Sequence, residues 1–123
     1  MIGNDATNQR FCEAIARALD TWAEEATAAV SEPNKDLLAW REYQRAVDVL
    51  RSTIVTTEQT EALRVVIYQA MVGLLDSVML VLDNASHLAD FYTMTITTST
   101  GEVLGPGLNE TFMAHLYETG RMR

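Results

Sequence analysis

The sequence predicts a mostly helical α+β domain, in which an antiparallel three-helix bundle with a long central third helix precedes a C-terminal β-hairpin and a short final helix. Three observations predict this class. Apolar residues recur at three- and four-residue steps through the first half of the chain. The stretch from Leu63 to Leu82 is apolar on almost every side, which is typical of a helix inside a core. Over residues 91–98 the period changes to two, which is typical of a strand.

A single domain is predicted across residues 1–123. The length of 123 residues fits one domain and leaves no room for a second of ordinary size. Hydrophobic residues make up 48% of the chain and charged residues 21%, which indicates a packed globular protein. Residues 1–6 are polar, and we expect them to fray.

The first helix is predicted over residues 7–30. Its apolar stripe consists of Phe11, Ile15, Ala18, Leu19, Trp22, Ala26 and Ala29. Cys12 lies beside this stripe and is expected to be a small, half-buried hydrophobic residue. Since Cys12 is the one cysteine of the chain, an internal disulfide and a cysteine-based zinc cluster are excluded, and a reducing compartment is favoured.

The second helix is predicted over residues 33–54, after a break at Ser31 and Glu32. Pro33 suits the first turn of a helix because its missing N–H would be unpaired there in any case. The linker to the first helix is short, so the two helices are expected to form an antiparallel hairpin.

The third helix is predicted over residues 57–84, with a capping box at Thr56 and Gln59 and a left-handed cap at Asn84. A helix of this length measures about 40 Å, so we expect it to form the axis of the core. Its length would also suit a membrane span. Gln69 and Asp76 interrupt the apolar stretch, and the stripes of the other helices need a covering partner, so no membrane contact is predicted.

The hairpin is predicted over residues 90–104. Tyr92, Met94 and Ile96 alternate with threonines, and a tight turn ends at Gly101. An open hairpin edge invites strand addition, so a homodimer joined there or through the second helix is one functional alternative. The final helix is predicted over residues 110–119, with Asn109 as its N-cap and Gly120 as its end.

The sequence contains no motif that indicates catalysis or cofactor binding. His87 and His115 do not have the spacing of metal ligands. A nucleophile elbow, a glycine-rich phosphate loop and a calcium loop are all missing from the sequence. A non-enzymatic protein without cofactor or metal is therefore expected.

A polar stripe on the third helix is open to three interpretations. Gln69, Gly73 and Asp76 follow one another by three and four residues. They form a solvent-facing strip, or a buried stripe where another helix crosses closely at Gly73, or the lining of a small-molecule or catalytic site near Tyr68. Asp76 and Asp83 are two helical turns apart, about 10 Å, which is too far for a shared proton.

The charge of the chain predicts the kind of partner. There are 17 acidic and 9 basic residues, a net charge of −8, and no segment is basic. Binding to nucleic acid and to anionic membranes is disfavoured, whereas a basic surface on a protein partner is favoured. The residues predicted to contact such a partner are Asp20, Glu24, Glu25, Asp83 and Asp90.

In size, charge and class the chain resembles the small acidic immunity proteins that neutralise toxins. That resemblance implies an inhibitor that occludes a basic surface of its partner. The N-terminus lacks a basic segment followed by an apolar run, so a cytoplasmic location is expected.

Overall fold

The computed structural model describes residues 5–32 and 43–122, which are mostly helical and include one small antiparallel sheet. This confirms the predicted α+β, mostly helical class. The elements are α1 (Asp5–Ser31), α2 (Gln44–Thr53), α3 (Thr57–Leu82), a 3-10 helix (His87–Asp90), β1 (Ile96–Thr97), β2 (Val103–Leu104) and α4 (Leu108–Glu118). The predicted fraying of residues 1–4 and the predicted helix start at residue 33 lie outside the described residues, while Asp5 and Ala6 are already helical.

The chain divides into two compact units, and α1 and α3 each contribute residues to both of them. The terminal unit joins the chain up to Ala18 with the chain from Val72 onward. The middle unit runs from Leu19 to Met71.

The core of the terminal unit is closed by α4. Its buried apolar side chains are Cys12, Ala16, Val72, Met79, Leu108, Phe112 and Leu116. The carboxylate of Asp83 accepts hydrogen bonds of 2.9 Å from the backbone N–H groups of Leu108 and Asn109. The prediction of Asn109 as the N-cap is therefore wrong: the helix starts at Leu108 behind Gly107, and the Asn109 side chain donates to Asp76.

Asn8 fastens the loop before α4 to α1. Its side chain is 3% exposed, accepts the N–H of Gly105 at 2.8 Å and donates to the carbonyl of Pro106 at 3.0 Å. A buried amide that makes two such bonds is stabilised in place, so a polar residue belongs to this core.

The hairpin is shorter than predicted. Ile96 lies opposite Leu104 and Thr97 opposite Val103, while the 3-10 helix ends at residue 90 and residues 92–95 lie outside the ladder. Met94 is held instead by Asn84, whose side chain accepts the Met94 N–H at 2.8 Å and donates to its carbonyl at 2.9 Å. Asn84 has φ 60°, which confirms the predicted left-handed cap.

In the middle unit, side chains of α2 and α3 bind to α1. Arg51 donates from Nε to the carbonyl of Ala29 at 2.8 Å, which satisfies an acceptor near the C-terminal end of α1. The hydroxyl of Tyr68 donates to Asp20 at 2.9 Å. The predicted capping box is confirmed, since the backbone N–H of Gln59 donates to Thr56 Oγ1 and its side chain accepts the Thr56 N–H.

The buried face of α1 differs from the predicted apolar stripe. Ala18 and Trp22 are exposed, Trp22 by 51%. The buried positions are Asn8, Cys12, Ala16, Leu19, Ala23, Thr27, Ala29 and Val30. Two of them are polar and hydrogen-bonded, because Thr27 donates to the carbonyl of Ala23 as Asn8 does to Pro106. Hydropathy could not identify such positions as buried.

The prediction that α3 is buried on almost every side is wrong. Its buried side chains are Tyr68, Val72 and Met79, whereas Val66 and Leu74 are each 66% exposed. Hydropathy measures how well a side chain tolerates burial, and the described neighbours cover one side of this helix. Among the described residues, Thr57–Asp90 is long and apolar enough to cross a membrane by length and composition, and 17% of its most apolar window is buried.

Candidate protein-binding surface

An open groove of about 390 Å³ lies on the middle unit, and we name it the acidic groove. Its lining comes from the last turns of α1 and from α3: Glu24, Glu25, Thr27, Ala28, Ser31, Glu32 and Arg64. Positions 24, 28 and 31 are four and three residues apart, so they share one face of α1.

The contact between Tyr68 and Asp20 positions the arginine of the groove. Arg64 lies one helical turn before Tyr68 on α3, and Glu24 lies one turn after Asp20 on α1. Because the Tyr68 hydroxyl holds the two helices together at Asp20, the next turn brings Arg64 beside the last turns of α1.

Arg64 is bound by a carboxylate of its own helix. Its Nη2 lies 2.5 Å from Glu61 Oε1, and its Nε donates to Glu61 Oε2 at 3.0 Å. Each partner stabilises the charged form of the other, so this contact lowers the pKa of Glu61 and raises that of Arg64. Besides Arg64, the charged residues of the lining are the three glutamates Glu24, Glu25 and Glu32.

The hydroxyl groups of the groove donate to the backbone. Thr27 donates to the carbonyl of Ala23 at 2.8 Å and Ser31 to that of Thr27 at 2.9 Å. A nucleophilic hydroxyl would instead need to donate to a general base. Within residues 5–32 and 43–122, no group of three or more His, Cys, Asp or Glu side chains is placed to hold a metal ion. The carboxylates of this lining are groups that can accept hydrogen bonds from cationic side chains.

The five acidic residues predicted to contact a partner have different environments. Glu24 and Glu25 lie together in the acidic groove, and Asp20 beside it accepts the Tyr68 hydroxyl. Asp83 belongs to the terminal unit, where both of its carboxylate oxygens accept backbone N–H groups of α4. Asp90, in the same unit, is exposed at the end of the 3-10 helix.

The polar stripe of α3 is not buried. Gln69 and Gly73 are exposed, and Asp76 is half-buried and accepts a hydrogen bond from the side-chain amide of Asn109. A Cβ atom built on Gly73 would meet nothing within 4 Å. A close helix crossing at Gly73 within the described chain is therefore ruled out, and Asp76 serves to bind α4 to α3.

One histidine is exposed, and the other contacts two polar side chains. His87 is exposed at the start of the 3-10 helix. His115 lies between two side chains of the terminal unit, with Nδ1 3.2 Å from Gln9 Nε2 and Nε2 3.3 Å from Arg121 Nη1. These contacts stabilise α4 against α1 and the chain that follows α4.

Sequence reasoning missed Glu32 and Arg64 as parts of the groove. The spacing of Glu61 and Arg64 predicts an ion pair on one helix. Whether that pair lies beside the end of α1 depends on how α1 and α3 pack against each other, which no local sequence pattern indicates. Comparison of the chain with known protein families, with curated proteins and with solved structures gave no match.

Proposed function

We propose that this chain is a non-enzymatic protein-binding module, an immunity- or antitoxin-like inhibitor whose acidic groove takes arginine or lysine side chains of a partner. The excess of carboxylates in the groove carries this proposal. Glu24, Glu25 and Glu32 line it, and its arginine is already bound by Glu61. Such a surface attracts a basic partner at long range and pairs with its cations on contact.

An exposed aromatic residue beside the groove supports the same proposal. Trp22 is 51% exposed and lies three residues before Glu25, so the two side chains are neighbours on α1. Tryptophan is enriched among the residues that contribute most to binding at protein interfaces. It would supply apolar contact where the glutamates supply charge.

The scaffold that we propose for this groove is the predicted antiparallel bundle of three helices, built within residues 19–71. Three observations support it. Asp20 meets Tyr68 while the later α1 residue Ser31 shares the groove with the earlier α3 residue Arg64, as expected for antiparallel helices. Arg51 binds α2 to the end of α1.

A labelled twelve-residue peptide of arginine, lysine and glycine tests the proposal through fluorescence anisotropy. The variant Glu24→Lys/Glu25→Lys should weaken binding about tenfold or more, and added salt should weaken binding to the unaltered protein. The matched control is Glu110→Lys/Glu118→Lys, which changes the net charge equally at two exposed positions of α4. Circular dichroism verifies that both variants fold.

An equal loss of affinity in the two variants would show that bulk charge binds the peptide and would reject the groove as the site. Affinity that does not respond to salt would reject electrostatic recognition. The same two variants then identify the partner by cross-linking in the host. A true partner must no longer cross-link to Glu24→Lys/Glu25→Lys and must still cross-link to Glu110→Lys/Glu118→Lys.

A further inference from the structure

In the hairpin of the terminal unit, the outer edge of β1 is open within the part of the chain that the structure describes. The backbone N–H of Thr98 donates to the carbonyl of Glu102 at 2.8 Å, so this pair is one of the hydrogen-bonded pairs of the ladder. Hydrogen-bonded and non-hydrogen-bonded pairs alternate along antiparallel strands. Thr97, opposite Val103, therefore belongs to a pair of the second kind, and its N–H and carbonyl point away from β2.

The same alternation continues toward residue 93. The backbone N–H and carbonyl of Met94 both bind the side chain of Asn84. By the alternation, they point to the same side as those of Ile96, which pairs with β2. Exposure also alternates, since Thr93, Thr95 and Thr97 are exposed while Met94 and Ile96 are half-buried. We name the backbone of Thr93, Thr95 and Thr97 the open edge. No hydrogen bond between described residues uses its N–H and carbonyl groups.

The open edge lacks the features by which proteins protect unpaired strands. Folded chains place lysine, proline or inward-pointing charges on such edges. Here the chain from Phe91 to Gly101 contains no charged residue and no proline. Phe91 and Tyr92, just before the edge, are 78% and 59% exposed. An unprotected edge with exposed aromatic residues beside it has the properties of an interface.

We propose that the open edge pairs with the open edge of a second copy of this chain, antiparallel, with Thr95 opposite Thr95. The order of residues supports a second copy because it is symmetric about Thr95. Thr93 then meets Thr97, a favourable cross-strand pair, and half-buried Met94 meets half-buried Ile96. Each of the three threonine pairs exchanges two backbone hydrogen bonds, six in all.

Charge favours this edge over the rest of the surface as the place where a second copy binds. Each chain has a net charge of −8, so two copies repel wherever carboxylates meet. On the strand that carries the open edge, the nearest charged residue is Asp90 before it, and the next is Glu102, which lies on the other side of the turn. Phe91 and Tyr92 lie just beyond the ladder, where the turn of the second copy would cover them. The open edge and the acidic groove share no residue, so either proposal can fail without the other.

Sedimentation equilibrium of the full chain, at concentrations up to about 1 mM, tests the dimer. Thr95→Lys and Thr95→Glu each place like charges opposite one another across the two-fold axis, and each should weaken the dimer about tenfold or more. An equal mixture of the two should restore it, because the charges are then opposite. Ala114→Lys, at an exposed position of α4, is the control and should leave the dimer unchanged.

A second measurement needs no substitution. Amide hydrogen exchange of Thr93, Thr95 and Thr97 should slow as protein concentration rises, whereas that of Met94, bound to Asn84, should not change. A monomer at every concentration overturns the proposal, as does a dimer that Thr95→Lys leaves intact. If Thr95→Lys and Thr95→Glu do not associate when mixed, the proposed register with Thr95 opposite Thr95 is wrong.

Discussion

The carboxylate of Asp83 accepts the backbone N–H of Leu108 at 2.9 Å, across 25 residues of chain. Its second oxygen accepts the N–H of Asn109. The first N–H groups of a helix lack partners within the helix and need an acceptor from elsewhere. For α4 that acceptor is Asp83, the residue that follows α3, so this predicted contact residue also stabilises the fold.

Asp83→Ala should lower the free energy of unfolding by about 1–3 kcal/mol, because two half-buried N–H groups lose their acceptor. Asp83→Asn should cost less, since one amide oxygen remains to accept. Urea denaturation measures both effects. Asp90→Ala, at an exposed position, should change stability by less than about 0.5 kcal/mol, and an equal effect at both positions would contradict the capping role.

Gly73→Ala should stabilise the protein by about 0.5–1 kcal/mol. Glycine inside a helix costs backbone entropy, and the new methyl group would enter open space. Gly105→Ala is the contrasting variant, because Gly105 has φ 74° and its Cβ would lie 3.2 Å from Asp83 Oδ1. Thermal denaturation should show a higher melting temperature for the first and a lower one for the second. A destabilising Gly73→Ala would mean that another chain packs closely at this position.

Because α3 is buried on one side, the cost of truncating a side chain should depend on the face of the helix to which that side chain belongs. Met79→Ala, at 1% exposure, should cost about 2–5 kcal/mol. Leu74→Ala, at 66% exposure, should cost less than about 1 kcal/mol in the same urea titration. Similar losses for the two variants would show that the exposed face of α3 is buried in solution.

The thiol of Cys12 links stability to alkaline pH. Burial, with a further contribution from the Asp83 carboxylate, raises its pKa from 9.0 to about 11. Between these values the unfolded chain loses the thiol proton while the folded chain keeps it, so the stabilisation is complete below pH 9.0 and is lost as pH rises toward about 11. Unfolding free energies across this range should fall more steeply for the native chain than for Cys12→Ala. Parallel curves would contradict the shift.

The features that the sequence predicted correctly are local ones. The capping box of Thr56 and Gln59 joins groups three residues apart, and the left-handed cap at Asn84 depends on its own backbone conformation. The structure places Glu24 and Glu25 in the lining of one groove, and their contact with a partner stays a prediction from charge.

The features that could not be predicted depend on residues distant in sequence. Asn8 looks like a polar residue near a frayed end, and its burial follows from a loop 97 residues later. Met94 binds the side chain of Asn84, ten residues earlier, and does not pair with a strand. An alternating sequence pattern does not indicate such a contact. The exposure of α3 depends on how much apolar surface its neighbours can cover, which hydropathy does not measure.

The contacts of Asn8 also have a consequence for the order in which the chain can fold during synthesis. The middle unit is one continuous stretch, so all of its contacts exist once residue 71 has left the ribosome. Asn8 must wait for Gly105, and Cys12 must wait for Leu108, before the terminal unit can close. Domains generally fold as units in the course of translation. We therefore expect nascent chains whose emerged part ends between residues 71 and 104 to protect the middle unit from proteolysis while both ends of the emerged chain are still cleaved.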